Sequence, residues 1–193
     1  MQYIDITNDL TLDDYYYTDI HWRQQNLTKV VNTLSSNLNI SVTHDYQQTK
    51  YYPFYGSYYG QLALNLEPDE LVYLTNITIN NAIVEDFDSN TTTIYELDSL
   101  GKMDSYDVYL SGATPIIEIT NPNSTNNREL IIFRDSFSSS LAPLLVEGYS
   151  KITLIDLRYI SISMLKDYLV FDNQDILILY NTTIINNSDM IKK

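Results

Sequence analysis

The stretch Leu130-Ile131-Ile132-Phe133-Arg134-Asp135-Ser136-Phe137 carries the strongest indication of how this chain folds. It starts with a continuous apolar run, which is typical of a buried strand. The residues after Phe133 are typical of a helix that ends at Gly148, with Pro143 in its first turn or at a kink. A serine at such a strand-to-helix turn exposes its hydroxyl beside backbone N–H groups. Ser136 is therefore a candidate nucleophile.

Other apolar runs alternate with helical patterns around this stretch. Strands are predicted at residues 115–120, 130–133, 152–155 and 176–180, and further helices at residues 22–38 and 161–169. Continuous apolar strands that alternate with helices imply a mostly parallel sheet covered on both faces. A length of 193 residues without a dividing linker predicts one α/β domain over residues 1–193. Sites in such sheets gather beyond the carboxyl ends of the strands, where Ser136 is expected.

Composition and charge exclude several classes of partner. An apolar fraction of 44% and 18 tyrosines indicate a folded domain rather than a disordered chain. The net charge is −14, and the sequence contains no basic run. Because phosphate binding requires clustered lysine and arginine, we expect no nucleic-acid partner. The same charge disfavours an anionic polymer as substrate unless a local basic pocket offsets it.

The sequence also argues against metal and disulfide chemistry. It has no cysteine, which excludes disulfides and thiolate metal sites, and only two histidines, His21 and His44. We therefore expect no metal and no other cofactor. The N-terminus lacks the basic and apolar regions of a signal peptide, and no apolar run approaches the ~20 residues of a membrane span. The absence of cysteine fits a cytoplasmic and an exported bacterial protein equally well.

A second short segment, Thr18-Asp19-Ile20-His21-Trp22, complements Ser136. With it the chain has a carboxylate, an imidazole and a hydroxyl, which are the groups required for acyl transfer through a covalent ester. An aspartate two residues before a histidine can reach its Nδ1 atom if the loop curls back. The sequence therefore predicts that folding joins these two distant segments in one site.

The order of several motifs resembles that of the DHHW family of bacterial proteins, named after an Asp-His-His-Trp signature. The matching landmarks are Asp19-Ile20-His21-Trp22, Phe54-Tyr55-Gly56-Ser57, Tyr109-Leu110-Ser111-Gly112-Ala113-Thr114-Pro115, Arg134-Asp135-Ser136-Phe137 with Ala142-Pro143, and Ile155-Asp156-Leu157-Arg158-Tyr159. The resemblance spans nearly the whole chain. The family is similar in turn to SGNH-type hydrolases and to the alginate O-acetyltransferases of the cell envelope.

This resemblance implies a fold, a reaction and roles for residues. The implied fold is an SGNH-hydrolase-like three-layer sandwich. Ser136 would be the nucleophile, His21 the base and Asp19 its orienting carboxylate. The implied activity is acyl-ester hydrolysis or O-acetyl transfer on a carbohydrate of the cell envelope, with envelope-assembly proteins as further partners and a location outside the cytoplasm. The oligomeric state is left open.

The sequence departs from the family pattern at several positions. Ile20 replaces the first histidine of the signature. Ala113 stands where the family often has asparagine, so the backbone N–H groups of Gly112 and Ser136 are the expected oxyanion donors. Members of the family usually begin with a membrane anchor and a long segment, whereas this chain starts just before the signature. We therefore expect a domain truncated at its N-terminus relative to the family, with one sheet edge missing or filled by a partner.

Two other functions and several local alternatives remain open from the sequence. The chain could be a catalytically silent binding or scaffold protein of envelope polysaccharide assembly, or a cytoplasmic hydrolase of lipids or small esters, although no pattern indicates an apolar pocket. Ser136 could instead cap a helix. Arg158 could bind substrate or form an ion pair with Asp156. We expect Asp135 to pair with Arg134 at the surface, and the tyrosines near residues 15–17 and 51–59 to pack rather than to bind sugars.

Overall fold

The computed structural model describes residues 1–63, 65–88 and 91–192. The strands in these residues are β1 (Gln47–Phe54), β2 (Asp69–Thr75), β3 (Ile83–Asp86), β4 (Ile116–Thr120), β5 (Glu129–Arg134), β6 (Lys151–Ile155) and β7 (Asp175–Leu179). The α-helices are α1 (Thr28–Leu38), α2 (Ser57–Leu62), α3 (Ile77–Asn81), α4 (Phe137–Leu141) and α5 (Thr182–Asn186). The predicted α/β class is confirmed.

Short 3₁₀-helices connect these elements, and some replace predicted α-helix. They span Thr7–Asp9, Leu12–Asp14, Gln24–Asn26, Leu97–Ser99, Ser105–Val108, Ala142–Gly148, Ile162–Asp167 and Ser188–Met190. The helix predicted after Phe133 ends at Gly148 as expected, but it changes from α to 3₁₀ before Pro143, which lies in the first turn of the 3₁₀ part. Within the described residues no helix is long and apolar enough to cross a membrane.

The main sheet has five strands in the order β3-β4-β6-β5-β7. β5 runs parallel to both β6 and β7, whereas β4 runs antiparallel to β6 and to β3. The sheet is therefore mixed, and the expectation of a mostly parallel sheet is wrong. The reason is the connection between β4 and β5, a short polar turn at residues 121–128 that is too short for the crossover that parallel strands require.

A separate two-stranded sheet pairs β1 with β2 in antiparallel register, from Gln47 opposite Thr75 to Phe54 opposite Asp69. Its face packs on a small aromatic cluster that includes Phe54, Tyr106 and Tyr109. This sheet ends next to the segment that contains Asp19 and His21. It therefore brings Gly56 and Asp69 to the candidate site.

The main core lies between the five-stranded sheet and the helices, and it joins the two candidate segments. Trp22, α1 and the end of α4 belong to one apolar cluster with the inward side chains of β4, β5 and β6. Leu130 and Ile132 of β5 are fully buried there. Because Trp22 directly follows His21 and α4 directly follows Ser136, burial of this cluster brings both segments to the same place.

The central position of β5 leads to a stability prediction. Ile132→Ala removes fully buried atoms from a central strand and is expected to lower the free energy of unfolding by about 2–5 kcal/mol. Ile178 on the neighbouring strand β7 is 58% exposed, so Ile178→Ala should cost about 1 kcal/mol or less. Urea denaturation of both variants measures the difference. Equal losses would show that β5 is not the centre of the core.

Candidate active site

Folding brings Asp19, His21 and Ser136 into one hydrogen-bonded chain. The His21 Nε2 atom lies 2.7 Å from the Ser136 Oγ atom, and the His21 Nδ1 atom lies 2.5 Å from Asp19 Oδ1. Asp19 is 2% exposed and His21 9% exposed, while Ser136 is half-buried. The two segments predicted to meet are thus joined through side chains 115 residues apart in sequence.

Ser136 lies at the turn between β5 and α4, and its hydroxyl does not cap the helix. Its backbone has helical dihedral angles (φ −61°, ψ −20°), and the side chain makes no capping hydrogen bond. A serine that caps a helix would accept a hydrogen bond from the helix N-terminus. Here the hydroxyl contacts the imidazole of His21 instead. The geometry therefore leaves its oxygen available for chemistry.

The Asp19 carboxylate is fixed by hydrogen bonds to both of its oxygens. Oδ1 accepts from the His21 backbone N–H at 2.9 Å as well as contacting Nδ1, and Oδ2 accepts from the Ser57 N–H at 2.8 Å. Burial acts to raise the pKa of Asp19, but these hydrogen bonds and the imidazole outweigh it and hold the pKa below its usual value. Asp19 is thus an anion at neutral pH and holds the Nδ1 proton of His21.

The loop that carries Asp19 is clamped by the end of the two-stranded sheet. The Thr18 N–H and hydroxyl both donate to Asp69 Oδ2 at 2.8 Å, and Arg23 pairs with Asp69 Oδ1 at 2.6 Å. The Gly56 N–H donates in turn to the Thr18 hydroxyl at 3.0 Å. These contacts curl the loop back so that Asp19 reaches the ring of the histidine two residues later.

The His21 ring is held between two aromatic side chains. It stacks on Tyr106 with ring centroids 3.8 Å apart and planes 6° apart, and it contacts the tilted Phe137 ring at 5.0 Å. The Tyr106 hydroxyl donates to Ser140 Oγ at 2.8 Å, which also accepts from Trp22 Nε1 at 2.9 Å. Trp22 is buried beneath the site. These contacts fix the plane of the imidazole.

Arg134 and Asp135 are fully buried, so the expectation of a surface ion pair is wrong. Arg134 ends the central strand β5 and Asp135 directly follows it, which places both inside the protein. Arg134 donates to Ser139 Oγ at 3.1 Å and to the Gly112 carbonyl at 3.4 Å, and burial lowers its pKa. Asp135 accepts from the N–H groups of Phe137 and Asn181 at 3.0 and 2.6 Å. The two side chains therefore fix the turn on which Ser136 lies.

Gly112 belongs to a loop with three successive positive φ angles: 55° at Leu110, 55° at Ser111 and 84° at Gly112. A Cβ atom at Gly112 would lie 2.3 Å from Asp107 Oδ1, so this position requires glycine for space as well as for its backbone. The Gly112 N–H donates to the Tyr109 carbonyl at 3.4 Å. Its role as an oxyanion donor stays a prediction.

From the sequence, Arg158 could either bind substrate or form an ion pair with Asp156. Its Nε and Nη2 atoms donate to the buried carboxylate of Asp156 at 2.9 and 2.6 Å, so the residue forms the ion pair. His44 is exposed and contacts Asn32 Oδ1 at 2.7 Å. In the described part of the chain no group of three or more candidate ligands could hold a metal ion.

One side of the site is acidic. Asp107 lies against Gly112 and interacts electrostatically with Asp104, His21 and Asp19. Burial, followed by the charge of Asp104, raises the pKa of Asp107 from 3.8 to about 6. No sequence pattern indicated Asp107, Tyr106 or Ser140, because each acts through a contact made only in the fold. Ser57, whose N–H donates to Asp19, is different, because it lies in one of the family landmarks quoted from the sequence.

A cleft of about 780 Å³ lies beside the site, where Ile20, Trp22 and Phe137, the sequence neighbours of His21 and Ser136, form part of its lining. Its apolar and aromatic lining residues are Ile6, Leu10, Leu12, Tyr15, Ile20, Trp22, Tyr58, Phe137, Leu179 and Tyr180. Its remaining lining residues are threonines and one asparagine, and of the described residues that form its walls none is charged. No sequence pattern predicted this apolar pocket, because its walls come from segments that are far apart in the chain.

Comparisons with known proteins agree with this fold. No protein-family model and no curated protein matches the chain. A solved DHHW family protein from Eubacterium siraeum DSM 15702 is 19% identical over 93% of this chain and 65% of that chain, with a TM-score of 0.74. Bacillus cereus PatB1 with a sulfonyl adduct is 19% identical over 97% of this chain and 67% of that chain (TM-score 0.69). A second PatB1 structure is 20% identical over 94% of this chain and 65% of that chain, with a TM-score of 0.64.

The predicted resemblance to the DHHW family is therefore confirmed at the level of the fold. The chain spans 65% of the length of that DHHW family protein.

Close packing at Gly56 leads to a prediction with an internal control. A Cβ atom at Gly56 would lie 2.2 Å from Asp19 Cβ and 2.6 Å from the Thr18 carbonyl. Gly56→Ala should therefore displace the Asp19 loop and lower the free energy of unfolding by about 1–3 kcal/mol. A Cβ at Gly60 in the exposed helix α2 meets nothing within 4 Å, so Gly60→Ala should gain up to ~1 kcal/mol. Equal stability of the two variants in urea would contradict this packing.

Asp107 leads to a prediction about pH. Because its pKa is higher in the folded protein, about 6, than the 3.8 of a free aspartate, it lowers stability as the pH rises through that interval. Below this interval Asp107 is protonated in both the folded and the unfolded protein, so its ionisation no longer lowers stability there. Asp107→Asn should raise the free energy of unfolding at pH 8, and this gain should shrink towards pH 4. Asp172→Asn, in an exposed loop, is the control, and a gain that does not change with pH would exclude ionisation as the cause.

Proposed function

We propose that this protein catalyses serine-dependent acyl-ester chemistry, either hydrolysis or O-acyl transfer. The observation that carries the proposal is the hydrogen-bonded chain from Asp19 through His21 to the Ser136 hydroxyl. An imidazole that is oriented by a buried carboxylate and contacts a serine oxygen is the arrangement that activates such a nucleophile. The turn after β5 presents Ser136 at the carboxyl end of a central parallel strand, where α/β proteins place their sites.

The first half of the reaction forms an acyl-enzyme. His21 Nε2 takes the Ser136 hydroxyl proton as Oγ attacks the carbonyl carbon of the ester. When the tetrahedral intermediate collapses, its bond to the leaving alkoxide breaks and the alkoxide takes the proton from Nε2. Asp19 holds the Nδ1 proton and stabilises the imidazolium between these two steps. Ser136 then carries the acyl group as an ester.

The second half of the reaction transfers the acyl group to an acceptor hydroxyl. His21 takes a proton from water or from a sugar hydroxyl, and the resulting oxygen nucleophile releases the acyl group from Ser136. We assign the oxyanion to the backbone N–H groups of Gly112 and Ser136. For the Gly112 N–H this requires exchange of its long hydrogen bond to Tyr109. A substrate-binding role of Arg158 would require it to reach past Asp156, which holds it by two side-chain nitrogens.

The structural neighbours support a nucleophile in this fold. One PatB1 structure carries a sulfonyl adduct, and such adducts form when a nucleophilic side chain attacks a sulfonyl electrophile. Together with the DHHW resemblance, this favours transfer to a carbohydrate of the cell envelope, within an SGNH-hydrolase-like sandwich and outside the cytoplasm. The net charge of −14 further favours an uncharged acceptor.

The proposal is tested by activity measurements on an activated acetyl ester. Ser136→Ala should reduce hydrolysis to the background rate, whereas Ser163→Ala, on an exposed 3₁₀-helix, should keep the wild-type rate. Asp19→Asn should reduce the rate by about 10⁴-fold, because it loses the charge that fixes the His21 tautomer. A fluorophosphonate should label the wild type and the Ser163 variant but not Ser136→Ala.

The outcomes separate the competing functions. Equal ester hydrolysis by the wild type and Ser136→Ala, with no labelling, would replace the enzymatic proposal by a binding or scaffold role. If the enzyme is active, analysis of the products with and without a glycan acceptor distinguishes a transferase from a hydrolase. An acylated glycan that forms only with an intact Ser136 would identify transfer.

A further inference from the structure

The uncharged cleft borders the two segments that carry the nucleophile and the base, although neither Ser136 nor His21 is among its lining residues. Phe137, which lines it, is the residue after Ser136, and its ring contacts the His21 ring at 5.0 Å. Ile20 and Trp22, which flank His21 in sequence, line the same cleft. The acyl chain of an ester whose carbonyl carbon lies at the Ser136 oxygen would therefore enter this cleft past Phe137.

The lining of the cleft selects against charged ligands. The chain has 25 acidic and 11 basic residues, yet among the described residues that form the walls there is no charged side chain. A ligand with a carboxylate, phosphate or ammonium group would lose its hydration there without gaining an ion pair. The occupant that fits this lining is uncharged.

The size and character of the walls favour a hydrocarbon chain. The volume of about 780 Å³ lies in the range of ~300–1,000 Å³ that holds ligands much larger than an acetyl group. The walls include the aliphatic residues Ile6, Leu10, Leu12, Ile20 and Leu179. A sugar would turn some of its hydroxyls towards these aliphatic groups, although the threonines, tyrosines and Asn181 of the lining offer partners to others, whereas an alkyl chain needs no partner.

A departure from the DHHW signature occurs at this wall. The signature has histidine where this chain has Ile20. Ile20 is 37% exposed and lines the cleft, so the substitution removes a titratable, polar group and adds a branched alkyl group beside the nucleophile. Ile20 thus contributes to the apolar character of the cleft.

We infer that the acyl group that Ser136 takes up is an apolar chain longer than acetyl, held in this cleft. The inference rests on the proposed function, because it concerns the ester that Ser136 attacks. Each methylene that the cleft buries should increase kcat/KM by up to about fourfold, which follows from the free energy of burying one methylene group.

Binding is measured without turnover in the Ser136→Ala variant. Trp22 is the only tryptophan of the chain and lines the cleft, so its fluorescence reports occupancy directly. Ethyl octanoate should change this fluorescence saturably, whereas ethyl acetate at the same concentration should not. Leu12 is 91% exposed at the cleft, so Leu12→Asp adds a charge there without disturbing the core and should weaken octanoate binding at least tenfold. Leu62→Asp, at a 57% exposed position outside the cleft wall, should bind like the parent.

Turnover is then measured with 4-nitrophenyl acetate, butyrate, hexanoate and octanoate. The wild type and Leu62→Asp should show kcat/KM values that rise with chain length, and Leu12→Asp should show a smaller ratio of octanoate to acetate. Hydrolysis of acetate without any rise and without ethyl octanoate binding would overturn the inference and leave the proposed function standing. If no ester reacts in any variant, the proposed function fails, and the inference fails with it even if the cleft binds octanoate.

A second copy of the chain is the other occupant that the test must exclude. Sedimentation of the wild type and Leu12→Asp over a range of concentrations reports self-association. A dimer that Leu12→Asp dissociates and that ethyl octanoate competes with would assign the cleft to a protein interface and overturn the acyl-chain inference. A monomer at all concentrations supports it.

Discussion

The site depends on the position of one buried carboxylate, that of Asp19. An isolated anion at 2% exposure would be strongly destabilising, and it is tolerated because the Ser57 and His21 N–H groups and the His21 ring all donate to it. This arrangement exists only while the loop is curled, and the Thr18 contacts to Asp69 and Gly56 keep it so. The β1–β2 sheet therefore acts as the support of the site, although it supplies none of the three side chains in the chain of hydrogen bonds.

A second support lies beneath Ser136. Arg134 and Asp135 precede the nucleophile at the end of β5, and each is fully buried and bound to a different segment: Arg134 to the Gly112 loop, and Asp135 to the start of α5 at Asn181. Buried charges of this kind are costly unless they are satisfied, so they fix one arrangement of the segments around them. The Gly112 loop, with its successive positive φ angles, is held next to Ser136 in this way.

The sequence predicted the strands around Ser136 and the meeting of the two segments, because local apolar runs and a distinctive motif order carry that information. The direction of β4 was not predicted, because an apolar run has the same pattern in both directions. Only the short turn between β4 and β5 excludes a parallel arrangement of these two strands. The sequence placed Arg134 and Asp135 at the surface, because charged residues are rarely buried without partners that only the fold shows. Tyr106, Asp107 and the walls of the cleft were missed for the same reason: each depends on contacts between segments that are distant in sequence.

The electrostatics of the site differ on its two sides, and this difference constrains how a substrate can bind. Asp19, Asp104 and Asp107 interact through space on the side of Tyr106 and Gly112, whereas the opposite side is the uncharged cleft. An oxyanion near Gly112 would be repelled by an ionised Asp107 and tolerated by a protonated one. Because burial and Asp104 raise the pKa of Asp107 to about 6, protonation of this carboxyl is accessible near neutral pH. If Ser136 attacks an ester as proposed, stabilisation of the oxyanion and ionisation of Asp107 oppose each other, and turnover is favoured when Asp107 is protonated.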